Sequence, residues 1–230
     1  MKNGTRKKRK KFDDEDDKFP PLRTRVTTKG MYDTMRLLRS EQRDRVEKLG
    51  FKAMLYMSLD TLPASIGHFV VSRYIPETNS IDLGNVKLKV TEERIHKILG
   101  ISKEGINLST VKDCTGENKF LKLWNDQKKN LTTSQSSLSN LIEGSKETDE
   151  LFDMNFIMLF VNTMIEKKPS GDLDTKVLMK LPNIKDKTKI NWCKYLNEAL
   201  MRTKDGWNPQ NPKSYYTGPL PFLIVRILSK

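Results

Sequence analysis

Between Leu151 and Lys167 the chain is apolar on almost every side of a helix. Leu151, Phe152, Met154, Phe156, Ile157, Met158, Leu159, Phe160, Val161, Met164 and Ile165 leave no polar stripe wide enough to face water. A surface helix keeps one polar face; a helix apolar all round is enclosed by others. The stretch is too short to cross a bilayer, which needs about 20 consecutive apolar residues. Its densest run, Phe156 to Val161, is bounded by Asn155 and Asn162. The chain is therefore expected to build a globular body around this segment, with no membrane partner. Asn155 and Asn162 lie seven apart on one face, and hydrogen-bonded packing is their expected role.

Other elements follow from periodicity and caps. Met31, Met35 and Leu38 form a stripe on a helix from Lys29 to Leu38. Ser40 is positioned to cap a second helix, Glu41 to Leu49, closed by Gly50 in the left-handed conformation. Phe51, Met54, Leu55, Met57 and Leu59 bury a short turn or helix. Pro63 suits the first turn of a helix running to Tyr74, with Ile66, Phe69, Val70 and Tyr74 at helical spacing. Ile81-Asp82-Leu83 and Val86 to Val90 alternate apolar and polar around Gly84-Asn85, which reads as a β-hairpin. Thr91 then caps Glu92 to Leu99, and Gly100 ends it.

Residues 102–150 are less patterned. A helix from Lys119 to Lys128 centres on Phe120, Leu121 and Trp124, and Thr132 to Ser139 reads as an exposed polar loop. Asn191 caps a helix from Trp192 to Met201. A turn-rich connector, Gly206 to Pro212, leads through Tyr215-Tyr216-Thr217-Gly218-Pro219-Leu220 into an apolar run from Phe222 to Leu228. The fold class expected is mainly α with one small β-hairpin. A single helical domain over 25–230 follows a disordered basic tail over 1–24.

Charge narrows the partners. Of 230 residues, 42 are Lys or Arg and 29 Asp or Glu, a net of +13. Residues 1–18 hold eight bases and five acids, so +10 stays with the rest. Arg6, Lys7, Lys8, Arg9, Lys10 and Lys11 form a terminal basic cluster of the kind importin grooves read as a nuclear localisation signal. The competing reading is a solvated charge run, with the acids Asp13 to Asp17 folding back onto it. A basic body is expected to attract polyanions weakly and without sequence preference, the competing reading being charge that serves solubility in a lysine-rich proteome.

Two patches interleave bases with aromatics. Lys119, Phe120, Lys122, Trp124, Lys128 and Lys129 form the first; Lys119, Lys122, Trp124, Lys128 and Lys129 are its candidate nucleic-acid contacts. Trp207, Lys213, Tyr215 and Tyr216 form the second. Single-strand binders stack bases on such aromatics. The alternative, favoured for both patches, is a buried aromatic stripe with solvated lysines, and Trp124 is expected in the core.

Catalytic chemistry is not legible. The only histidines are His68 and His96, and the only cysteines are Cys114 and Cys193. Without a secretory leader, reduced thiols are the default. Two cysteines and two scattered histidines do not supply metal-ligand spacing. There is no GxxxxGK[ST] phosphate loop, no GxGxxG after a strand and no HExxH helix. No catalytic, metal or cofactor site is assigned, and the chain is expected not to be an enzyme.

Several of these elements together resemble the plant mobile domain, found in plant proteins of transposon descent. The matching residues are Gln42, Val46 and Leu49-Gly50-Phe51, then Leu62-Pro63, the hairpin, and Ile98-Leu99-Gly100. Asn155 to Asn162, Asn191-Trp192-Cys193 with Tyr195, and Ser214 to Leu220 extend the resemblance over residues 22–228. It implies a nuclear module with a protein or chromatin partner, in a family whose domesticated members act in genome maintenance and silencing. A second reading is a nucleic-acid-binding element of a transposon product. A third is the leader of a longer SUMO-type cysteine protease whose catalytic domain lies elsewhere. Asp113-Cys114-Thr115-Gly116 only partly echoes that protease's nucleophile motif, because Leu108 stands where a Gln is needed and Thr115 where a Gly is. The family is sometimes labelled aminotransferase-like; a single hairpin of β-structure gives no scaffold for a pyridoxal-phosphate enzyme.

Overall fold

The segment that is apolar on every side lies at the centre of the molecule. A computed structural model describes residues 19–127, 134–211 and 213–229. In it, helix α7 spans Glu150–Phe160, and every residue from Phe152 to Phe160 is buried. Asp149 caps it, its carboxylate accepting from the Leu151 and Phe152 amides at 3.1 and 3.0 Å. The helix then widens into a π-helical turn, Val161–Ile165, in which the Glu166 amide reaches back five residues to the Val161 carbonyl (3.0 Å). Asn162 occupies this turn. Its side-chain amide donates to the carbonyls of Met158 (2.9 Å) and Asp174 (3.2 Å), and its oxygen accepts from the Asp174 amide (2.6 Å). Asn155 pairs with Gln127 in the same spirit, at 2.8 Å. Both asparagines are thus packing residues whose polar groups are satisfied.

The remaining elements wrap this axis. In chain order they are α1 (Lys29–Leu37), α2 (Ser40–Lys48), a 3-10 turn (Lys52–Tyr56), α3 (Ala64–Arg73), β1 (Tyr74–Ile75), β2 (Ser80–Asp82), β3 (Lys87–Lys89), α4 (Glu92–Leu99), α5 (Lys119–Gln127), α6 (Gln135–Gly144), α8 (Trp192–Asp205) and α9 (Leu220–Leu228). Helices α5 and α6 pack on α7, α1 packs on α6, α9 lies against α3 and α4, and α8 lies against α4. Phe51 sits in the middle. Its ring meets Phe156, Phe160 and Trp192 at centroid distances of 5.2, 4.6 and 5.6 Å. The mainly α class with a small β element holds.

Caps follow the sequence closely. Thr91 accepts from the Arg94 amide (3.2 Å), and Asn191 accepts from the Lys194 amide (2.8 Å). Gly100 ends α4 at φ 63°, and a Cβ there would come within 2.6 Å of the Ala53 side chain. Helix α2 begins one residue early. Arg39 is its cap position, with the Arg39 amide donating to Gln42 Oε1 at 3.0 Å.

Three readings change. The hairpin gains a third strand: β1 pairs antiparallel with β2, Tyr74 opposite Ile81 and Ile75 opposite Ser80. A two-residue strand running directly out of a helix carries no alternation to detect. The polar loop expected over 132–139 is instead the start of α6, with Ser134 as its cap and Gln135, Ser137, Leu138 and Ser139 buried; Thr132 and Thr133 lie outside the described residues. Its polar side chains face other segments, Gln135 meeting Thr163 and the Thr27 carbonyl, and Ser139 the Gly30 carbonyl. Polar residues that bond across a helix interface hide the apolar stripe that sequence reading relies on. Finally, Phe19 to Thr24, placed in the tail by composition, join the body. Leu22 is buried, its amide donating to Ala64 O (3.1 Å), and Thr24 forms a parallel bridge with Tyr216. Among the described residues, no helix is long and apolar enough to cross a membrane.

Candidate functional site

The first aromatic-basic patch divides across the two faces of α5. Leu121 and Trp124 point inward, and Trp124 is 1% exposed. Lys119 and Lys122 are exposed, together with Phe120 and Leu123. Trp124 therefore cannot serve as a stacking platform, as its core assignment anticipated. Lys128 and Lys129 lie outside the described residues, as does the Arg6–Lys11 cluster. What remains on this face is two lysines beside one partly exposed phenylalanine.

The second patch keeps an accessible aromatic. Trp207 and Tyr216 are buried, but Tyr215 is only partly covered and lies between two arginines. The guanidinium carbons of Arg23 and Arg25 stand 4.9 and 4.7 Å from its ring centroid. Both arginines also donate to its hydroxyl, at 3.1 and 3.4 Å. The arrangement depends on chain pairing 192 residues apart: Thr24 Oγ1 donates to the Tyr216 carbonyl (2.8 Å), and the Tyr216 amide donates to the Arg23 carbonyl (2.9 Å). Alternation along Arg23-Thr24-Arg25 puts both arginines on one side and Thr24 on the other. Lys213 is exposed close by in sequence. Lys167, nearly buried, donates to Gln135 Oε1 (3.4 Å); burial, and then the charge of Arg25, push its pKa down. A tyrosine ring gripped by two arginines, on a surface with further cations, can seat a phosphate backbone. Arg23 and Arg25 are the residues that sequence reading missed. Their signal, alternating arginines, straddles the boundary drawn between the tail (1–24) and the domain (25–230).

Thiol and imidazole groups do not form catalytic machinery. Cys193 is buried, its Sγ donating to the Ile101 carbonyl (3.4 Å), and burial pushes its pKa up to about 12. His96 Nδ1 bonds the same carbonyl at 2.7 Å. Both groups are committed to one backbone oxygen, and neither activates the other. Cys114 is half-buried, and its amide donates to the Met179 carbonyl (2.7 Å). His68 packs edge-on against Trp207 (5.6 Å), with Ser72 Oγ 3.3 Å from its Nδ1. Burial, and then the charge of Lys204, lower its pKa. Among the described residues, no three His, Cys, Asp or Glu groups gather as a metal site.

Fold and surface together define a mainly α protein with a small antiparallel sheet and a cationic face organised around one tyrosine. The chain belongs to the family described as Domain of unknown function (DUF8566), which it matches over residues 24–224. That match corrects the resemblance to the plant mobile domain: it covers nearly the same stretch, and neither that domain nor a protease family matches. The residues that suggested it, such as Leu49-Gly50, Leu62-Pro63 and Leu99-Gly100, are helix starts, helix stops and buried stripes. Any helical body with this element order needs them, so they carry packing information and not ancestry. No enzyme family is identified. Neither the curated proteins nor the solved structures contain a match to this chain.

Proposed function

We propose that this protein is a nuclear, non-enzymatic interaction module that works at chromatin, where it takes a protein partner and holds nucleic acid weakly through its basic surface. The observation that carries the reading is Tyr215 between Arg23 and Arg25, a preformed aromatic-cation seat on a body with a large positive charge. The nuclear address rests on the Arg6–Lys11 cluster and its recognition by an importin. Lys119 and Lys122 add charge at a second face. A second reading, a dedicated nucleic-acid-binding element, is favoured by the same seat if discrimination among sequences is high.

The test is fluorescence polarisation with a labelled single-stranded oligonucleotide across a salt series. Binding is expected to fall steeply with salt, because each neutralised phosphate releases counterions. Tyr215→Ala should weaken it by about 1–3 kcal/mol without lowering the melting temperature. Trp124→Ala should do the reverse, destabilising the fold and sparing the seat. Sequence discrimination of about a thousandfold that survives physiological salt would favour the second reading. Absence of binding at low salt would refute the nucleic-acid half of the proposal. For the address, alanine at Lys7, Lys8, Arg9 and Lys10 in a large fluorescent fusion should move it from nucleus to cytoplasm, and unchanged nuclear accumulation would refute it.

A further inference from the structure

A cleft of about 500 Å³ opens between the β2–β3 hairpin, α4 and α9. Its walls are apolar, from Leu83, Val86, Leu88 and Ile227, and two arginines, Arg94 and Arg226, line it with them. Val86 is 53% exposed, and Leu228, next to Ile227, is 64% exposed. Large aliphatics left in water around a concavity mark a surface built for a partner.

The arginines give the partner its charge. Arg226 is 8% exposed, and its Nε is sealed from solvent with no hydrogen-bond acceptor. Among the described residues its guanidinium makes no ion pair, and neither does that of Arg94. The carboxylates on the flanking elements are engaged elsewhere. Glu92 accepts from Asn191 (3.0 Å), Glu93 pairs with Lys103, and Asp82 accepts from the Gly84 amide (2.9 Å) and lies 3.7 Å from Lys87 Nζ. Burial and the neighbouring charge of Arg94 depress the Arg226 pKa, the direction expected for a cation lacking an anion. An arginine that is largely buried, has no acceptor at Nε and lines the cleft without a counterion leaves a place for an anion.

We propose that this cleft docks a peptide segment of a partner protein in which a large aliphatic or aromatic side chain stands next to an aspartate or glutamate. The apolar side chain fills the wall between the hairpin and α9, and the carboxylate accepts from Arg226 and Arg94. Aliphatic walls distinguish this occupant from a nucleic-acid backbone, whose sugars and phosphates offer nothing for Leu83, Leu88 or Ile227 to cover. Arginine's planar fork suits a carboxylate held bidentately. The proposal supplies the partner chemistry for the interaction module above and rests on that reading. Its seat is separate from Tyr215, so the two can fail independently.

The test uses the full chain and a fluorescein-labelled ten-residue peptide of alternating leucine and aspartate, read by polarisation. The wild type should bind it at least about tenfold more tightly than the same peptide with asparagine for aspartate, a difference of about 1.4 kcal/mol. Glycine in place of leucine should weaken binding to a similar degree. Arg94→Glu, at an exposed position where the fold is not at stake, should weaken it about tenfold or more. Arg226→Met should do the same while keeping the circular dichroism spectrum, and Tyr215→Ala should leave peptide binding unchanged. Equal binding of the acidic and neutral peptides, or an unaffected Arg94→Glu variant, would overturn the proposal. So would displacement by a single-stranded oligonucleotide as effective as that by unlabelled peptide, which would reduce the cleft to general polyanion attraction. Peptide binding that persists in a protein with no oligonucleotide affinity would sustain the cleft and remove only the nucleic-acid half of the proposed function.

Discussion

Replacing Phe156 by alanine removes the largest side chain from the middle of α7. The ring is fully buried and stacks edge-on against Phe51 at 5.2 Å, inside a group completed by Phe160 and Trp192. A buried aromatic removes about 150–250 Å² from water, which at about 25 cal/mol per Å² corresponds to about 4–6 kcal/mol as an upper bound. Part of that area is already covered in a compact denatured chain, and alanine retains some of the rest. Against this, the cavity left among three remaining rings resists collapse, because Phe51, Phe160 and Trp192 also hold one another. The expected loss is about 3–5 kcal/mol, a large share of the roughly 5–15 kcal/mol typical of a folded protein. For a chain of this size that lowers the melting temperature by about 6–20 °C. Urea titration and thermal melting followed by far-ultraviolet circular dichroism measure both quantities. Phe120→Ala, at a ring 36% exposed on α5, is the matched control and should cost under about 0.5 kcal/mol. A Phe156→Ala protein melting within about 2 °C of the wild type would refute the placement of this helix at the centre of the core.

Arg45 holds Asp153, which is 1% exposed in the middle of α7, with Nε at 2.7 Å and a second contact through Nη2. Arg45→Met strands that carboxylate and should cost about 3 kcal/mol in urea titration, the low end for buried pairs, since the arginine side chain keeps 35% exposure to water; a loss under about 1 kcal/mol would mean water already satisfies Asp153. Cys193, with its thiol pushed up to about 12, should resist a disulfide exchange reagent at pH 8 while Cys114 reacts, so one thiol titrates in the native protein and two in urea; two fast thiols in the native state would contradict the buried position of Cys193. His68 has a folded pKa below the unfolded value of 6.5, so protonation favours the unfolded chain, and its contribution is full above about pH 6.5 and lost as pH falls through the folded pKa. The drop in melting temperature from pH 8 to pH 5.5 should be smaller in His68→Gln than in the wild type, and an equal drop would assign the acid sensitivity to other groups.

Elements whose signals are local could be read directly from the residues. The all-apolar run from Leu151 had to be enclosed, because no face of it tolerates water. Thr91, Asn191 and Gly100 fixed helix ends through bonds and backbone angles that span three or four residues. Trp124 was assigned to the core by its place in a short stripe, and the structure puts it there. Features that depend on distant partners emerge only once the chain has folded. Helix α6 is polar in composition because Gln135 and Ser139 bond to segments more than 100 residues away. Strand β1 exists only because β2 pairs with it. The two cationic features have the same origin. Arg23 and Arg25 reach Tyr215 across 192 and 190 residues, and Arg94 meets Arg226 only where α4 packs on α9. Local sequence encodes caps and stripes through short-range sterics and hydrogen bonds. A surface that recognises another molecule is assembled from residues whose proximity is set by how the core closes.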